Sequence, residues 1–498
     1  FDCLAFYAGI QRTLVCDFAA PGAIMGEWGG GYVGPHALYD AYQRSDHWSN
    51  LMKGANSCFH WHGSAILGDG TATENFKVYA EEFNVLKSGI AKMLLTAEKR
   101  DPKIAILYSQ SSLFAAMGTS FQLARWMHTQ TGWDEMLRDL KYDATFISYE
   151  QLADSKFDLS RFKVIVLPMA LCLSQAERER LAAFAEAGGT IIADAAPGRF
   201  DHHGARVANT VLDKLFPANT RELAPLSKDV KQGDLTSRFL IAEPELPVYT
   251  VRNVGKGKAA LLNIVFDAYQ TLTLGGVGGE HSTSTTGTEQ YCNSLRTVVS
   301  KIMTGAGVKT YAVVKDMNGK LAPSESVLRK SGENYYFGIM YRDLKAEKIP
   351  GKIDFKNAAP VTVELPISGV VYDVRKGVKI GKGNKFKITL PAGYGQLFAI
   401  LPAEITAVKA QLPPSIKAGS VCSVKVSADG AADKSVFRME VYSPDGKKQP
   451  LYSKNQVSEN KETVFSFQIP YNAEKGKWSL VFLHAASGKK TNRLLTVR

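Results

Sequence analysis

Between residues 100 and 308 short apolar runs alternate with segments of helical period, and this rhythm limits the chain to very few architectures. Lys103 to Tyr108, Ala144 to Ser148, Lys163 to Leu167 and Thr190 to Asp194 are near-continuous apolar strands. Strands of that kind are buried on both faces, which a parallel sheet with helices on either side provides. The clearest helix starts at Ser174, with Glu177 completing a capping box, and stops at Gly188-Gly189. A turn at Gly255-Lys256 leads into one more strand, Gly257 to Asn263. The spacing predicts a doubly wound α/β domain over residues 100–308.

The flanking sequence has other rhythms. In residues 1–99, strands are expected at Asp2 to Phe6, at Ala23 to Gly26 and at Ala55 to Trp61. The second delivers Glu27 and Trp28 to its end, and the third ends in His60-Trp61-His62. An amphipathic helix through His47, Trp48, Leu51 and Met52 lies between them. Thr71 and Glu74 form a second capping-box pattern, opening a helix with Phe76, Phe83, Leu86, Ile90, Met93 and Leu94 on one side. A strand, helix, strand unit with a carboxylate and aromatic rings at its strand ends is the arrangement of the C-terminal face of a (β/α) barrel. Three strands make only a partial (β/α)8 barrel, so its earlier strands would lie upstream of Phe1. From about residue 309 helical signals fade. Short alternating strands predict a small all-β domain over 309–402 and an immunoglobulin-like β-sandwich over 403–498. The fold class read here is therefore α/β plus all-β.

Composition excludes more than it selects. Hydrophobic content of 45% and charged content of 22% are those of an ordinary globular protein. No apolar run reaches the ~18 residues of a membrane span. The net charge of +12 suits an acidic partner, but its lysines, scattered over strand-rich C-terminal sequence without interleaved aromatics, read as solvated faces; no nucleic-acid partner is expected. Six cysteines without CxxC spacing support neither a zinc site nor a disulfide framework, and no cofactor is expected. The sequence starts at Phe1, not Met, without a basic-then-apolar leader, so its start is expected to lie inside a domain and says nothing about a signal peptide.

The chemistry is expected at Glu27. A carboxylate beside an indole suits sugar cleavage, the ring facing a pyranose and the carboxylate meeting an oxocarbenium-like centre. The alternative is that Glu27 caps the Gly29-Gly30-Gly31 loop. His60 and His62, two apart on a strand, share a face; they bind sugar hydroxyls or serve as structural histidines, and no third ligand makes a metal site. Trp28 and Trp61 are stacking platforms or core. Elsewhere Gly275 to Gly279 follows no phosphate-binding pattern and reads as a mobile loop. Cys172 follows a strand as an amidotransferase nucleophile would, but without the flanking glycines of an elbow, and reads as packing. His202-His203 lacks further ligands.

In this order the chain resembles the C-terminal part of a beta-galactosidase of glycoside hydrolase family 42. The residues that carry the likeness are Gly26-Glu27-Trp28, Lys53-Gly54-Ala55-Asn56 through His62-Gly63, Phe162 to Pro168, Glu186 to Ile192 and Gly257 to Asn263. The resemblance implies a barrel, an amidotransferase-like domain that supports trimerisation, and a small β domain, with the last sandwich added. It implies a retaining glycosidase acting on β-linked glycans, Glu27 being the nucleophile at the end of the seventh barrel strand. The family's acid/base carboxylate follows the fourth strand, which this sequence does not contain, so the chain alone is expected to be inactive. Phe59 stands where the family has an acidic sugar-binding residue, which bears on galactose specificity. A homotrimer and a periplasmic or extracellular location, with the cytoplasm as the alternative, follow from the same likeness. Two other functions stay open: a non-catalytic carbohydrate-binding or scaffold protein, and an amidotransferase using Cys172.

Overall fold

The computed structural model describes residues 17–18, 24–28, 47–55, 57–60, 68–72, 74–117, 120–194, 197–216, 249–262, 269, 288–322, 324–341, 358–391 and 393–498. The expected strand at Asp2 to Phe6 and the Gly275 to Gly279 loop lie outside them. The chain divides into two compact units, Phe1–Ala23 with Asp101–Tyr311 and Ile24–Arg100 with Ala312–Arg498.

The second unit takes in the earliest described strands, β1 (Ile24–Trp28) and β2 (Ser57–His60), which pair in parallel. Parallel neighbours need a crossover connection, and residues 47–53 supply a helical turn within it. That helix differs from expectation. Residues 47–52 are all buried, polar ones included, so it has no solvent face. The Thr71 cap is also not formed as expected. Thr71 donates its N–H (2.9 Å) and its hydroxyl (2.6 Å) to the Asp69 carboxylate, and the helix opens at Glu74. An ionised acceptor two residues away holds both donors.

The Asp101–Tyr311 unit is the doubly wound sheet that the apolar runs predict. Strands β3 (Ile104–Tyr108), β4 (Ala144–Ser148), β5 (Val164–Leu167), β6 (Thr190–Ala193), β7 (Tyr249–Val254) and β8 (Gly257–Leu262) lie in the order β4-β3-β5-β6-β8-β7. All neighbours are parallel except β7 and β8. Alternate residues feed two separate cores. Ile104, Ile106, Val164 and Val166 pack with Trp133, Met136 and Leu137 of helix Ser120–Asp139. Ala105, Leu107, Ile165 and Leu167 pack with Leu181, Phe184 and Ala185 of helix Gln175–Ala187. The Ser174 capping box is present in both directions, Glu177 N–H to the hydroxyl and Ser174 N–H to the carboxylate at 2.6 Å. Gly257 starts β8 where a Cβ would stand 2.1 Å from the Gly189 carbonyl oxygen and 2.3 Å from that of Ala185. Backbone oxygens cannot yield, so only glycine fits there.

The second unit continues with β9 (Val313–Asp316), β10 (Ser324–Ser331), β11 (Asn334–Tyr341), β12 (Ala359–Asp373), β13 (Val378–Leu390) and β14 (Gln396–Leu401) in one antiparallel sheet. Its order is β10-β11-β14-β12-β13, with β9 on β12. Then come a three-stranded sheet, β15 (Val408–Gln411), β17 (Val421–Ala428) and β20 (Glu462–Gln468), and a five-stranded one. The latter holds β16 (Ser415–Ile416), β18 (Val436–Tyr442), β19 (Lys454–Val457), β21 (Gly476–His484) and β22 (Lys490–Val497). Inward residues alternate along each strand: Cys422, Val424 and Val426, Phe465 and Phe467, and Leu480 and Phe482 meet in one core. Two half-buried sheets closing on a shared core make a sandwich.

His484 lies inside that sandwich, Nδ1 at 3.0 Å from the Ser487 hydroxyl and the ring edge-on to Phe437. Burial holds its pKa down to about 4. The unfolded chain, with an ordinary value near 6.5, takes up a proton that the folded one refuses. The neutral ring's contribution is therefore complete above pH ~6.5 and is lost as pH falls toward 4, up to about 3 kcal/mol. Urea unfolding at pH 7 and pH 4 should show this loss in the parent protein and a much smaller one in His484→Gln.

Candidate functional site

The candidate site is built on β1 and β2. Ile24 pairs with Ser57, Met25 with Cys58 and Trp28 with His60, with a register shift between Met25 and Trp28. Over that interval β1 uses one residue more than β2, at Gly26-Glu27. Such a bulge inserts an extra residue into one strand and locally disrupts its pairing. Glu27, Trp28 and His60 thus share the C-terminal end of one parallel pair, brought together across the intervening helix. Trp61 and His62 lie outside the described residues.

The helix at 47–53, which joins β1 to β2, is held by groups that sequence reasoning did not single out. Trp48 is wholly buried and donates its indole N–H to Glu82 Oε1 at 2.8 Å. Its ring lies against Gly395 so closely that a Cβ there would come within 2.0 Å. Arg375 pairs with both Glu82 oxygens, at 2.9 Å to Oε2, donates to the Gly395 carbonyl at 3.0 Å, and stacks 3.6 Å from the Tyr394 ring centre. Around the same helix Ser49 donates to Glu325 at 2.9 Å, with Lys53 Nζ 3.8 Å from that carboxylate, and Arg329 donates to the Met52 carbonyl at 2.8 Å. Gly54, at φ 108, ends the helix with its N–H on Asn50 and Leu51 carbonyls. Trp48, Ser49 and Lys53 thereby meet partners, which helps a helix with no solvent face to be tolerated, while the buried Asn50 Oδ1 has no hydrogen-bond partner among the described residues. The one local signal was Gly54. Glu82 and Arg375 are 293 residues apart in sequence.

In the other unit, β5 runs into a tight corner at Pro168-Met169. Met169 has φ 38, in the left-handed region, and its N–H donates to Asp194 Oδ1 at 2.6 Å. A strained turn between a strand and a helix is where a nucleophile elbow presents its nucleophile, and here a buried methionine occupies it. Cys172 comes three residues later. Its N–H donates to the Ser112 hydroxyl at 2.9 Å, and its carbonyl accepts from Ser109 and Ser112 at 3.1 and 3.2 Å. Burial, then the charges of Asp201 and Glu177, push its thiol up to about 11. Thiolate reactivity requires the opposite. Thiol labelling mapped by mass spectrometry should leave Cys172 unmodified in native protein and modify it in urea; prompt native labelling would reinstate the amidotransferase reading.

His202 and His203 stand exposed on a turn whose Asp201 carboxylate accepts from the His203 and Ala205 N–H groups, both at 2.9 Å. No cluster of three His, Cys, Asp or Glu groups suited to a metal occurs among the described residues, and none of their helices is long and apolar enough to cross a membrane.

Residues 102–238 match the family model described as the beta-galactosidase trimerisation domain. Solved structures similar to the chain include Gan42B, a glycoside hydrolase family 42 beta-galactosidase from G. stearothermophilus, at 16% identity and a TM-score of 0.53, over 79% of this chain and 56% of that one. Another is the beta-galactosidase of Bacillus circulans sp. alkalophilus, at 16% identity and a TM-score of 0.56, over 80% and 58%. The chain spans a little over half the length of these proteins, and at this identity the likeness concerns the fold. The resemblance carried by the sequence motifs agrees with both comparisons: a trimerisation-domain match in one unit and family 42 beta-galactosidases as structural neighbours over most of the chain.

Proposed function

We propose that this chain forms part of a retaining glycoside hydrolase of beta-galactosidase type acting on β-linked glycans, with Glu27 as nucleophile. The observation that carries the reading is the β1–β2 pair, which sets Glu27 and Trp28 beside His60 at one strand end, with a bulge at Gly26-Glu27. In such a reaction the Glu27 carboxylate attacks the anomeric carbon as the glycosidic bond breaks. A second carboxyl group protonates the leaving oxygen and then activates water. That second group is assigned to no residue of this sequence, so activity belongs to the full-length protein. Trp28 and Trp61 would stack on sugar faces, and His60 or His62 would bind hydroxyls. The two early strands would belong to a (β/α)8 barrel and the final sandwich to an immunoglobulin-like module. The unit containing residues 102–238 would assemble three copies, in the periplasm or outside the cell.

The test is product stereochemistry. Full-length protein incubated with an aryl β-galactoside and followed by NMR should release the β-anomer first. The α-anomer first would reject a nucleophilic Glu27. No turnover on any β-linked aryl glycoside would favour the non-catalytic carbohydrate-binding alternative.

A further inference from the structure

Residues 374–498 hold 21 basic and 8 acidic side chains, against 60 and 48 in the whole chain. The C-terminal quarter therefore carries the entire positive excess, and the rest is close to neutral. The density peaks at the β12–β13 turn and along β13. Arg375, Lys376, Lys379, Lys382, Lys385 and Lys387 follow one another with no acidic residue between Asp373 and Glu404. Arg375 is committed to Glu82, and Lys376, Lys379 and Lys385 have single counter-charges in Asp373, Glu404 and Glu364. Lys382 and Lys387 have no ion pair among the described residues.

Geometry turns this run into a surface. Among the described residues β13 pairs only with β12, so its outer edge offers backbone N–H and C=O groups. Lys382, Lys385 and Lys387 are exposed, and nothing lies within 4 Å of a Cβ built on Gly381 or Gly383. Edge lysines also deter sheet-to-sheet aggregation, but that purpose needs neither the glycines that bare the backbone nor a whole strand of charge. An extended polymer with repeating anions and hydroxyls fits both features, its anions meeting ammonium groups and its hydroxyls the strand edge. The exposed large apolar residues of β13 are Val378 and Ile380. The strand's one aromatic, Phe386, is buried against Phe398, so it gives bases no stacking platform, which sets a glycan above a nucleic acid.

We propose that the exposed edge of β13 is a binding site for an acidic polysaccharide. The choice of a glycan rests on the function proposed above, but the binding needs no catalysis. The test is affinity electrophoresis of the full-length protein through gels containing dextran sulfate, polygalacturonate or neutral dextran, alongside retardation by double-stranded DNA. Retardation is expected in at least one acidic gel and not in neutral dextran. Lys382→Gln, Lys385→Gln and Lys387→Gln combined should weaken it about tenfold. The same charge removed at exposed Lys417, Lys475 and Lys477 should leave it nearly unchanged, and Glu27→Ala should bind as the parent does. No retardation, equal loss in both triple variants, or DNA binding with the same dependence on the β13 lysines would overturn the site. Loss of turnover without loss of binding would instead bear on the catalytic reading alone.

Discussion

Full-length protein carrying Glu27→Ala is expected to lose turnover of aryl β-galactosides by on the order of a thousandfold or more. Its unfolding midpoint should stay near that of the parent, because a residue at an irregular strand end contributes chemistry more than packing. The loss follows from the mechanism: without the carboxylate no covalent glycosyl intermediate forms, and water cannot reach the anomeric carbon from the side the leaving group blocks. A small anion separates this role from a merely structural one. Azide entering the space left by the side chain would attack from the face the carboxylate used, restoring turnover and giving the α-glycosyl azide. Unchanged turnover in Glu27→Ala rejects the assignment. Lost turnover that azide leaves lost, or restores with a β-product, means that Glu27 acts otherwise than as the nucleophile.

The second large effect is on stability. Arg375→Met should destabilise the protein by about 3–5 kcal/mol, since it leaves a buried carboxylate without its guanidinium. Glu82 is fully buried, and Arg375 supplies a two-pronged pair to it while bridging to the Gly395 carbonyl and stacking on Tyr394. The Trp48 indole N–H remains on Glu82, but a neutral donor does not replace the guanidinium's charge beside a desolvated carboxylate. Glu82→Gln combined with Arg375→Met should cost less than the two separate losses, because the second change removes the charge that the first one strands. Urea midpoints of the three variants test this, and additive losses would refute the coupling. Because Trp48 sits on the helix joining β1 to β2, Arg375→Met should also lower the turnover of the full-length protein at temperatures where it remains folded.

How much of this was legible beforehand depended on distance along the chain. The doubly wound unit could be read because its signals are local or periodic: apolar runs of strand length, and the Ser174–Glu177 box, which closes within four residues. The antiparallel β7 was not singled out, because its partner across the Gly255 turn was the stronger apolar run. Thr71 shows the limit of local reading, since two equally short-range carboxylates, Asp69 and Glu74, were candidates for its backbone N–H and Asp69 holds it. In the candidate site Glu27, Trp28 and His60 could be named from residue type and strand position. Their gathering at one strand end came from the parallel register. The helix between them looked amphipathic because residue types alone do not reveal that Glu325 and Arg329 would cover its polar side.

The amino-acid order alone therefore determined the element types, the alternation that makes a parallel sheet, the β-rich character of the last third and the positive charge. Tertiary structure decided which charges are buried against which, as with Glu82 and Arg375, and which lysines share an open strand edge, as along β13. It also decided that a methionine, and not Cys172, occupies the strained corner after β5. The physical reason is common to all three. Propensity, periodicity and capping act over a few residues, whereas desolvation and charge pairing depend on neighbours that only the folded chain supplies.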